Sequence, residues 1–178
     1  MLSSSAFKAY DVRGVVPDEL DAEGAYRLGR AYVAAFEPSV IAVGHDMRLT
    51  SPEFAQAVSE GAADQGAGVV QLGQIGTEML YFAVGEYGYE GGIQVTASHN
   101  PSRYNGMKIV RRGALPVSGD TGLEKIKALA AGELQPGDRG EISQRDVYLG
   151  FHDRVMHFID ADAVRPLKVV LDGSNGMA

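Results

Sequence analysis

The sequence has no cysteine, no long apolar run and fewer basic than acidic residues. Without cysteine, the chain can form no disulfide scaffold, thiol nucleophile or cysteine-ligated zinc site. No stretch approaches the ~18 consecutive apolar residues that a membrane helix needs, so we expect no membrane association. The 16 Lys and Arg against 23 Asp and Glu give a net charge of −7, which argues against nucleic-acid binding because that function requires a basic face. The first residues lack the layout of a signal peptide, and we expect a cytoplasmic protein.

What the sequence does contain is the composition of a folded domain. Hydrophobic residues make up 45% and charged residues 22% of the 178 residues, which excludes disorder as the main state. This length provides enough apolar material for one domain with a small addition. Glycine is the outlier, with 23 residues where ~7% of a chain is usual. Because these glycines lie between apolar runs, we interpret them as turns and as places where backbones approach closely.

Short apolar runs alternate with helical patterns along the chain. Strands are predicted at 40–43, 69–72, 93–96, 107–110 and 168–171 from their β-branched residues. Helices are predicted at about 18–36, 51–66, 77–87, 120–131 and 147–158 from apolar residues spaced three and four apart. The second helix should begin with Ser51 as its N-cap and Pro52 at its first position. This alternation is typical of an α/β protein, and we predict a three-layer αβα fold.

One connection and the C-terminal region depart from the alternation. Only a polar loop joins the strands at 93–96 and 107–110, so these should form an antiparallel hairpin and make the sheet mixed. The segment 132–140 is the most loop-like connection. We assign 1–145 to a first domain, and 146–178 to a linker helix and the first strand of a second α/β domain. The alternative is that the strand at 168–171 docks on the same sheet.

Residues 96–101, which read TASHNP, place a serine and a histidine at the end of an apolar strand. Ligands tend to bind at such strand ends in open α/β sheets. Neighbouring side chains on an extended strand point in opposite directions, so Ser98 and His99 are not expected to form a nucleophile–base pair by themselves. The alternative interpretation of this segment is an ordinary polar turn.

A local group of basic residues follows Ser98. Positions 98 to 113 contain no acid and four cations, namely Arg103, Lys108, Arg111 and Arg112. If the hairpin folds symmetrically about 102–103, Ser98 lies opposite Met107 and Lys108. A dianionic phosphate needs positioned cations of this kind, so we predict a phosphate site here. The alternative for Lys108 is a solvent-facing residue on a half-buried strand.

Two further segments could contribute to the same site. Residues 7–14 read FKAYDVRG, and an arginine beside a glycine is suited to bidentate recognition of phosphate or carboxylate. The alternative for this segment is an edge strand with a surface arginine. Residues 43–48 read VGHDMR. His45 and Asp46 are too few to indicate a metal site, and we interpret the segment as a loop that braces the phosphate site.

Together, FKAYDVRG, TASHNP with YNGMKIV at 104–110, and the segment at 168–176 carry a family resemblance. The chain resembles the N-terminal domain of the bacterial phosphomannomutase/phosphoglucomutase branch of the α-D-phosphohexomutases. The resemblance implies an isomerase that interconverts the 1- and 6-phosphates of mannose or glucose through a phosphoserine and a bound 1,6-bisphosphate. It implies that Ser98 is this phosphoserine and that its phosphate is one ligand of Mg²⁺. It also implies catalytic roles for Ser98, His99, Lys108 and Arg13, and substrate binding by Tyr10, Arg13 and Asn100.

The chain also departs from the family, whose members have four domains. By the same resemblance, the other magnesium ligands and the sugar-binding loops lie in later domains, so we expect little or no mutase activity from this chain alone. Phosphoglucosamine mutase and a non-catalytic phosphate-binding module are the alternative functions. A first strand without the rest of its domain would expose Val169, Val170 and Leu171, and we therefore expect concentration-dependent self-association.

Overall fold

The computed structural model of the chain describes residues 1–174 and 176–177. Within these residues there are five α-helices, and their bounds are α1 Ala22–Phe36, α2 Ser51–Asp64, α3 Thr77–Glu86, α4 Leu123–Ala131 and α5 Tyr148–Met156. The same residues form seven strands, which are β1 Val12–Val15, β2 Val40–His45, β3 Gly68–Gln74, β4 Gly91–Val95, β5 Tyr104–Arg111, β6 Leu115–Pro116 and β7 Ile142–Gln144. In this described part of the chain, no helix combines the length and apolar content that crossing a membrane requires.

The seven strands form one mixed sheet, as predicted. The strand order is β1-β5-β4-β2-β3-β7, and β6 pairs with β5 beside β1. Strands β4, β2, β3 and β7 run parallel to one another, whereas β5 runs antiparallel to both β4 and β1. The loop from β4 to β5 therefore leaves the sheet at the carboxyl edge of the parallel strands.

Apolar residues are buried on both faces of this sheet, because successive side chains of a strand point to opposite faces. Ile41 and Val43 of β2 belong to the larger core, which they share with residues of α1, α2 and α4. Ala42, between them, belongs to a second core with Leu80 and Val84 of α3. The molecule thus has the predicted three layers, with α1, α2 and α4 on one face and α3 on the other.

Helix α5 continues the α3 layer. The Phe151 ring packs edge-on against Phe82 of α3 with 5.7 Å between centroids, and Arg154 forms an ion pair with Glu86. Because Val155 and Phe158 are exposed, the apolar stripe predicted for this helix is buried only near its start.

Several predicted bounds require correction. α2 begins one residue earlier than predicted, since Thr50 is the N-cap residue and Ser51, the predicted N-cap, already lies in the helix. The short strands β6 and β7 were not predicted, and β1 corresponds to the edge-strand alternative for residues 7–14. The strand predicted at 168–171 does not form, because no described strand lies beside these exposed residues to complete their backbone hydrogen bonds.

Candidate phosphate-transfer site

The segment between β4 and β5 carries Ser98 at the carboxyl edge of the sheet, where the sequence predicted a site. Ser98 and His99 are both exposed, and Thr96 and Ala97 before them are buried. The Ser98 backbone has φ 54°, in the left-handed region. This conformation costs a residue other than glycine about 1 kcal/mol, and such residues concentrate at functional sites.

This backbone conformation brings the serine and histidine side chains together. Ser98 Oγ lies 3.1 Å from His99 Nδ1, within hydrogen-bond distance. The expectation that the two side chains point apart assumed an extended backbone, and it is wrong because the chain turns at Ser98. The result is an exposed hydroxyl with an imidazole nitrogen beside it, in the arrangement that general base catalysis requires.

Asp46, which follows β2, holds the start of this loop from below. It is 7% exposed, and its Oδ2 accepts a hydrogen bond from the Thr96 hydroxyl at 2.7 Å. Thr96 Oγ1 in turn accepts from the Ser98 backbone N–H at 2.9 Å. The other carboxylate oxygen of Asp46 accepts from Ser51 Oγ at 2.6 Å and from the Arg48 N–H at 3.0 Å. This carboxylate is therefore fully engaged.

Arg48 holds the rest of the loop through its backbone. Its Nη1 donates to the carbonyl oxygens of Pro101 and Tyr104, and its Nη2 donates to those of Ser98 and Asn100. The interpretation of residues 43–48 as a bracing loop is thereby confirmed. Arg48 itself was not predicted as a site residue. The signal for it was that polar residues follow both β2 and β4, because the ends of neighbouring parallel strands meet at one sheet edge.

Arg13 reaches the loop from the neighbouring strand β1. It pairs with Gly106 of β5, where a Cβ would collide with the Val12 carbonyl oxygen, so glycine permits the close approach of β1. Arg13 Nη1 donates to Asn100 Oδ1 at 2.7 Å, and Nη2 forms an ion pair with Asp11. Arg13 Nε is buried without a partner among the described residues. The structure thus brings Arg13 and Asn100 together, as the predicted site requires.

Lys108 and Tyr10 are less closely tied to Ser98. In the β4–β5 ladder Lys108 pairs with Gln94, and Val95 pairs with Met107. The predicted register, with Ser98 opposite Met107 and Lys108, is therefore wrong. The loop contains two successive tight turns after Thr96 and is not symmetric about 102–103. Lys108 is half-buried, and Tyr10 is 75% exposed.

The predicted group of basic residues is also divided by the fold. Arg111 pairs with Gly91 at the far end of β5, seven residues from Tyr104 and so ~20 Å from the Ser98 loop. Arg112, next to it, forms an ion pair with Glu90. Arg103, by contrast, lies in the loop itself, with its guanidinium 5.5 Å from the centre of the Tyr104 ring. The cations that contact the loop from other segments of the chain are Arg13 and Arg48.

Two clefts open at the carboxyl edge of the sheet. A cleft of about 220 Å³ adjoins Ser98, and its lining includes Gln94, Thr96, Thr77 and Glu78. A larger one of about 580 Å³ lies beside β3 and β7, and its polar lining combines four glutamines with His45, Arg145 and Asp146. The smaller cleft is the better candidate, because only it contains the serine hydroxyl and the loop that Asp46 and Arg48 hold.

The described side chains do not form a magnesium site. Residues 1–174 and 176–177 contain no group of three or more His, Asp or Glu side chains placed to hold a metal. Asp46, the carboxylate bonded to the loop, has both oxygens occupied. A phosphate on Ser98 would add oxygen ligands, but the remaining ones would have to come from elsewhere.

Comparisons with known proteins show which family the chain resembles in sequence. A family model described as phosphoglucomutase/phosphomannomutase, alpha/beta/alpha domain I, matches residues 4–136. A phosphomannomutase of Escherichia coli is 46% identical over 183 residues, which is 100% of this chain and 40% of that protein. A phosphomannomutase of Klebsiella pneumoniae is 46% identical over 157 residues, which is 86% of this chain and 100% of that protein.

A solved structure leads to the same family. A phosphoglucomutase/phosphomannomutase family protein from Burkholderia thailandensis superposes with a TM-score of 0.78 at 36% identity, covering 88% of this chain and 36% of that one. This chain therefore spans less than half the length of the Escherichia coli and Burkholderia thailandensis proteins. It belongs to the phosphoglucomutase/phosphomannomutase family, of which it carries the αβα domain I.

Proposed function

We propose that Ser98 is the phosphoryl carrier of a phosphohexomutase. In this function the serine takes a phosphoryl group from a hexose 1,6-bisphosphate and returns it to a hexose monophosphate, so that the 1- and 6-phosphates of mannose or glucose interconvert. The observation that carries the proposal is the exposed Ser98 hydroxyl, held 3.1 Å from His99 Nδ1 in a loop with an unusual backbone. Membership of the family supports the same activity.

The transfer to the serine can be written with the groups of this loop. Ser98 Oγ attacks the phosphorus of the bisphosphate, a new Oγ–P bond forms, and the bond from phosphorus to the sugar oxygen breaks. The hydroxyl proton passes to His99 Nδ1 and is then delivered through solvent to the departing sugar oxygen, which leaves as the sugar hydroxyl. In-line transfer of this kind depends mainly on positioning and on stabilisation of charge. The reverse sequence phosphorylates the second sugar position.

The phosphoserine adds about −1.5 to −2 charges to a chain that is already negative. Arg13 is the guanidinium best placed to offset this charge, since Asn100 draws it toward the loop. Lys108 would contribute from β5 when its flexible side chain extends toward the loop. Tyr10 is exposed and is free to contact a sugar phosphate. We propose that Asn100 acts mainly by orienting Arg13, in addition to its expected contact with substrate.

Magnesium belongs to this proposal as the family's cofactor. When bound, it would neutralise phosphate charge during the transfer. Because the described side chains form no complete set of ligands, we derive no step through the metal. The chain spans 40% of its Escherichia coli relative, and we propose that it performs the transfer to Ser98 but little complete isomerisation.

The test is phosphorylation of the chain by glucose 1,6-bisphosphate in the presence of magnesium chloride. We expect intact-mass spectrometry to detect one added phosphoryl group, and peptide mapping to locate it on Ser98. Ser98→Ala should abolish the label. Ser102→Ala, which removes another exposed hydroxyl of the same loop, should retain it. A label that survives Ser98→Ala would contradict the proposal.

The same experiment tests the alternative of a non-catalytic module. Binding of the bisphosphate without any label would favour a protein that only binds phosphate. The phosphoglucosamine mutase alternative depends on sugar-binding loops that, by the resemblance, lie in later domains, so its test is the rate of glucosamine phosphate isomerisation by a protein that joins this chain to those domains.

A further inference from the structure

Arg48 is a charged side chain that the reaction itself does not use. Its side chain is 11% exposed and lies beneath the loop that carries Ser98. Four N–H groups of its two Nη atoms meet four carbonyl oxygens, those of Ser98, Asn100, Pro101 and Tyr104, at distances from 2.5 to 3.0 Å. Nε faces Asp46 Oδ2 at 3.4 Å. A guanidinium has five N–H groups, so none remains for a ligand.

This arrangement argues against a role in binding phosphate. A cation close to a phosphorylated serine would ordinarily be assigned to the phosphate, and the planar guanidinium suits that purpose. Here the fork is directed at the backbone of the loop instead. Carbonyl oxygens that accept from a guanidinium cannot turn away without losing charge-assisted hydrogen bonds, which are among the stronger ones in proteins. Arg48 therefore restricts the loop at both of its ends.

Asp46 also holds the Ser98 loop, through its contacts with Arg48 and Thr96. It forms the ion pair with Arg48 and accepts from Thr96, whose hydroxyl accepts the Ser98 N–H. The N–H of Ser98 is thus fixed through Thr96 and Asp46, and its carbonyl oxygen is fixed by Arg48. Both backbone groups of one residue are held while its φ stays at 54°. Left-handed backbone in a residue other than glycine persists where surrounding bonds enforce it.

We propose that Arg48, braced by Asp46, is a positioning residue that holds the Ser98 loop in the conformation competent for phosphoryl transfer. The inference rests on the proposed function of Ser98. Without the guanidinium the backbone of Ser98 relaxes toward an ordinary conformation, and the hydroxyl leaves His99 Nδ1. A displacement of ~1 Å at a reacting group can slow a reaction ~100-fold. The arginine thus acts on the rate of transfer rather than on the affinity for the sugar phosphate.

The test compares Arg48→Met, Arg48→Lys and a matched control, Arg27→Met. Arg27 likewise donates from its guanidinium to two carbonyl oxygens, those of Ala130 and Gly132, but these lie at the end of α4 and not in the Ser98 loop. With glucose 1,6-bisphosphate and magnesium chloride, Arg48→Met should phosphorylate Ser98 ~100-fold more slowly at saturating bisphosphate, with the half-saturating concentration changed less than threefold. Arg27→Met should label at the wild-type rate.

Arg48→Lys separates positioning from charge. A lysine retains the positive charge but cannot donate to four carbonyl oxygens from a planar fork, so we expect it to behave like Arg48→Met. A wild-type rate in Arg48→Lys would overturn the proposal, since it would mean that charge alone is needed. A loss confined to the half-saturating concentration would also overturn it, because that result describes a ligand-binding arginine.

Amide hydrogen exchange tests the loop independently of catalysis. We expect Arg48→Met, but not Arg27→Met, to accelerate exchange at Ser98, Asn100 and Tyr104, whose N–H groups are bonded within the segment. If the wild-type chain takes up no phosphoryl group, the proposed function of Ser98 is wrong. The exchange measurement still tests whether Arg48 holds the loop. Unchanged exchange in Arg48→Met would overturn the proposal that Arg48 holds the loop, even if the wild-type chain is phosphorylated.

Discussion

Ser98 illustrates how much of this site depends on single backbone groups. Its side chain requires only an exposed position beside His99, but its N–H and carbonyl oxygen are both held by side chains from other segments. Those side chains, Thr96 and Arg48, are in turn bonded to one carboxylate, Asp46. A buried carboxylate with fully paired oxygens is a stable anchor, whereas removal of one partner would leave a buried charge unpaired. The reactivity of an exposed serine is therefore set by residues beneath it.

Tyr32 gives a residue-scale prediction about pH. Burial, and to a smaller extent the charge of Glu90, raises the pKa of Tyr32 well above its ordinary value of 10.0. The Tyr32 hydroxyl donates to the Val110 carbonyl oxygen at 2.9 Å and so favours the protonated form. Because the folded state binds this proton more tightly, its contribution to stability is complete below pH ~10 and is lost as the pH rises further, by at most about 1.4 kcal/mol per pH unit.

Tyr32→Phe isolates this contribution from other groups that titrate in alkali. We expect the variant to be less stable than wild type at pH 8, since the Val110 carbonyl oxygen loses a partner, by about 1–3 kcal/mol. Between pH 10 and 11.5 the difference in free energy of unfolding between wild type and variant should become smaller, because only the wild type loses the contribution of the tyrosine proton. Urea unfolding at several pH values gives the free energy of unfolding of each protein as a function of pH. Parallel curves over this range would contradict the assignment.

At the scale of the elements, α1 and α2 cross at two glycines. A Cβ on Gly29 would collide with the Val58 carbonyl oxygen, and one on Gly61 would collide with that of Tyr26. The two helix backbones are therefore in direct contact, and α2 is fixed against α1. Since β2 leads into α2 through Asp46 and Arg48, this contact also fixes the segment that holds the Ser98 loop.

Gly29→Ala and Gly61→Ala should each lower the free energy of unfolding by about 1–3 kcal/mol, or more if the helices cannot separate. The control is Gly85→Ala in α3, where an added Cβ meets nothing within 4 Å. Alanine there should raise the free energy of unfolding by ~0.5–1 kcal/mol, because it favours the helix more than glycine does. Denaturant unfolding of the three variants decides the matter, and equal effects at all three positions would refute the close crossing.

The elements that could be predicted are those whose pattern is local. The strand predictions 40–43, 69–72, 93–96 and 107–110 fall on β2 to β5, because short runs rich in β-branched residues can be recognised without knowledge of their partners. The two- and three-residue strands β6 and β7 exist only through their neighbours, and the sequence around them carries no period. The register of the β4–β5 hairpin could not be predicted either, because it is determined by the turns within the loop.

The candidate site divides along the same line. Ser98, Arg13 and Asn100 could be found from motifs, and the structure brings Arg13 to Asn100. The contact between Ser98 and His99 could not, because it depends on one left-handed residue. Arg48 is 50 residues from Ser98 in sequence, and only the pairing of β2 with β4 brings it beneath the loop. Proximity across a sheet is a tertiary property that a local pattern does not contain.

At the scale of the whole molecule, the C-terminal segment differs from the rest. Residues 164–173 form no regular structure, and Val164, Leu167, Val169, Val170 and Leu171 are between 62% and 97% exposed. Most apolar residues of 1–147, by contrast, are buried in two cores on the faces of the sheet. So many neighbouring apolar side chains in water favour association, since contact with another apolar surface contributes ~25 cal/mol for each Å² removed from water.

We therefore expect the chain to self-associate in a concentration-dependent way, with Val169–Leu171 at the contact. Light scattering after size-exclusion chromatography should give an apparent mass that rises with loading concentration. The double variant Val170→Lys with Leu171→Lys should shift the curve toward the monomer, because each lysine would have to be desolvated in the contact. Leu149→Lys, on the exposed face of α5, is the control for added charge and should leave the curve unchanged. A monomer mass that is independent of dilution in the wild type would show that the exposed segment does not drive association.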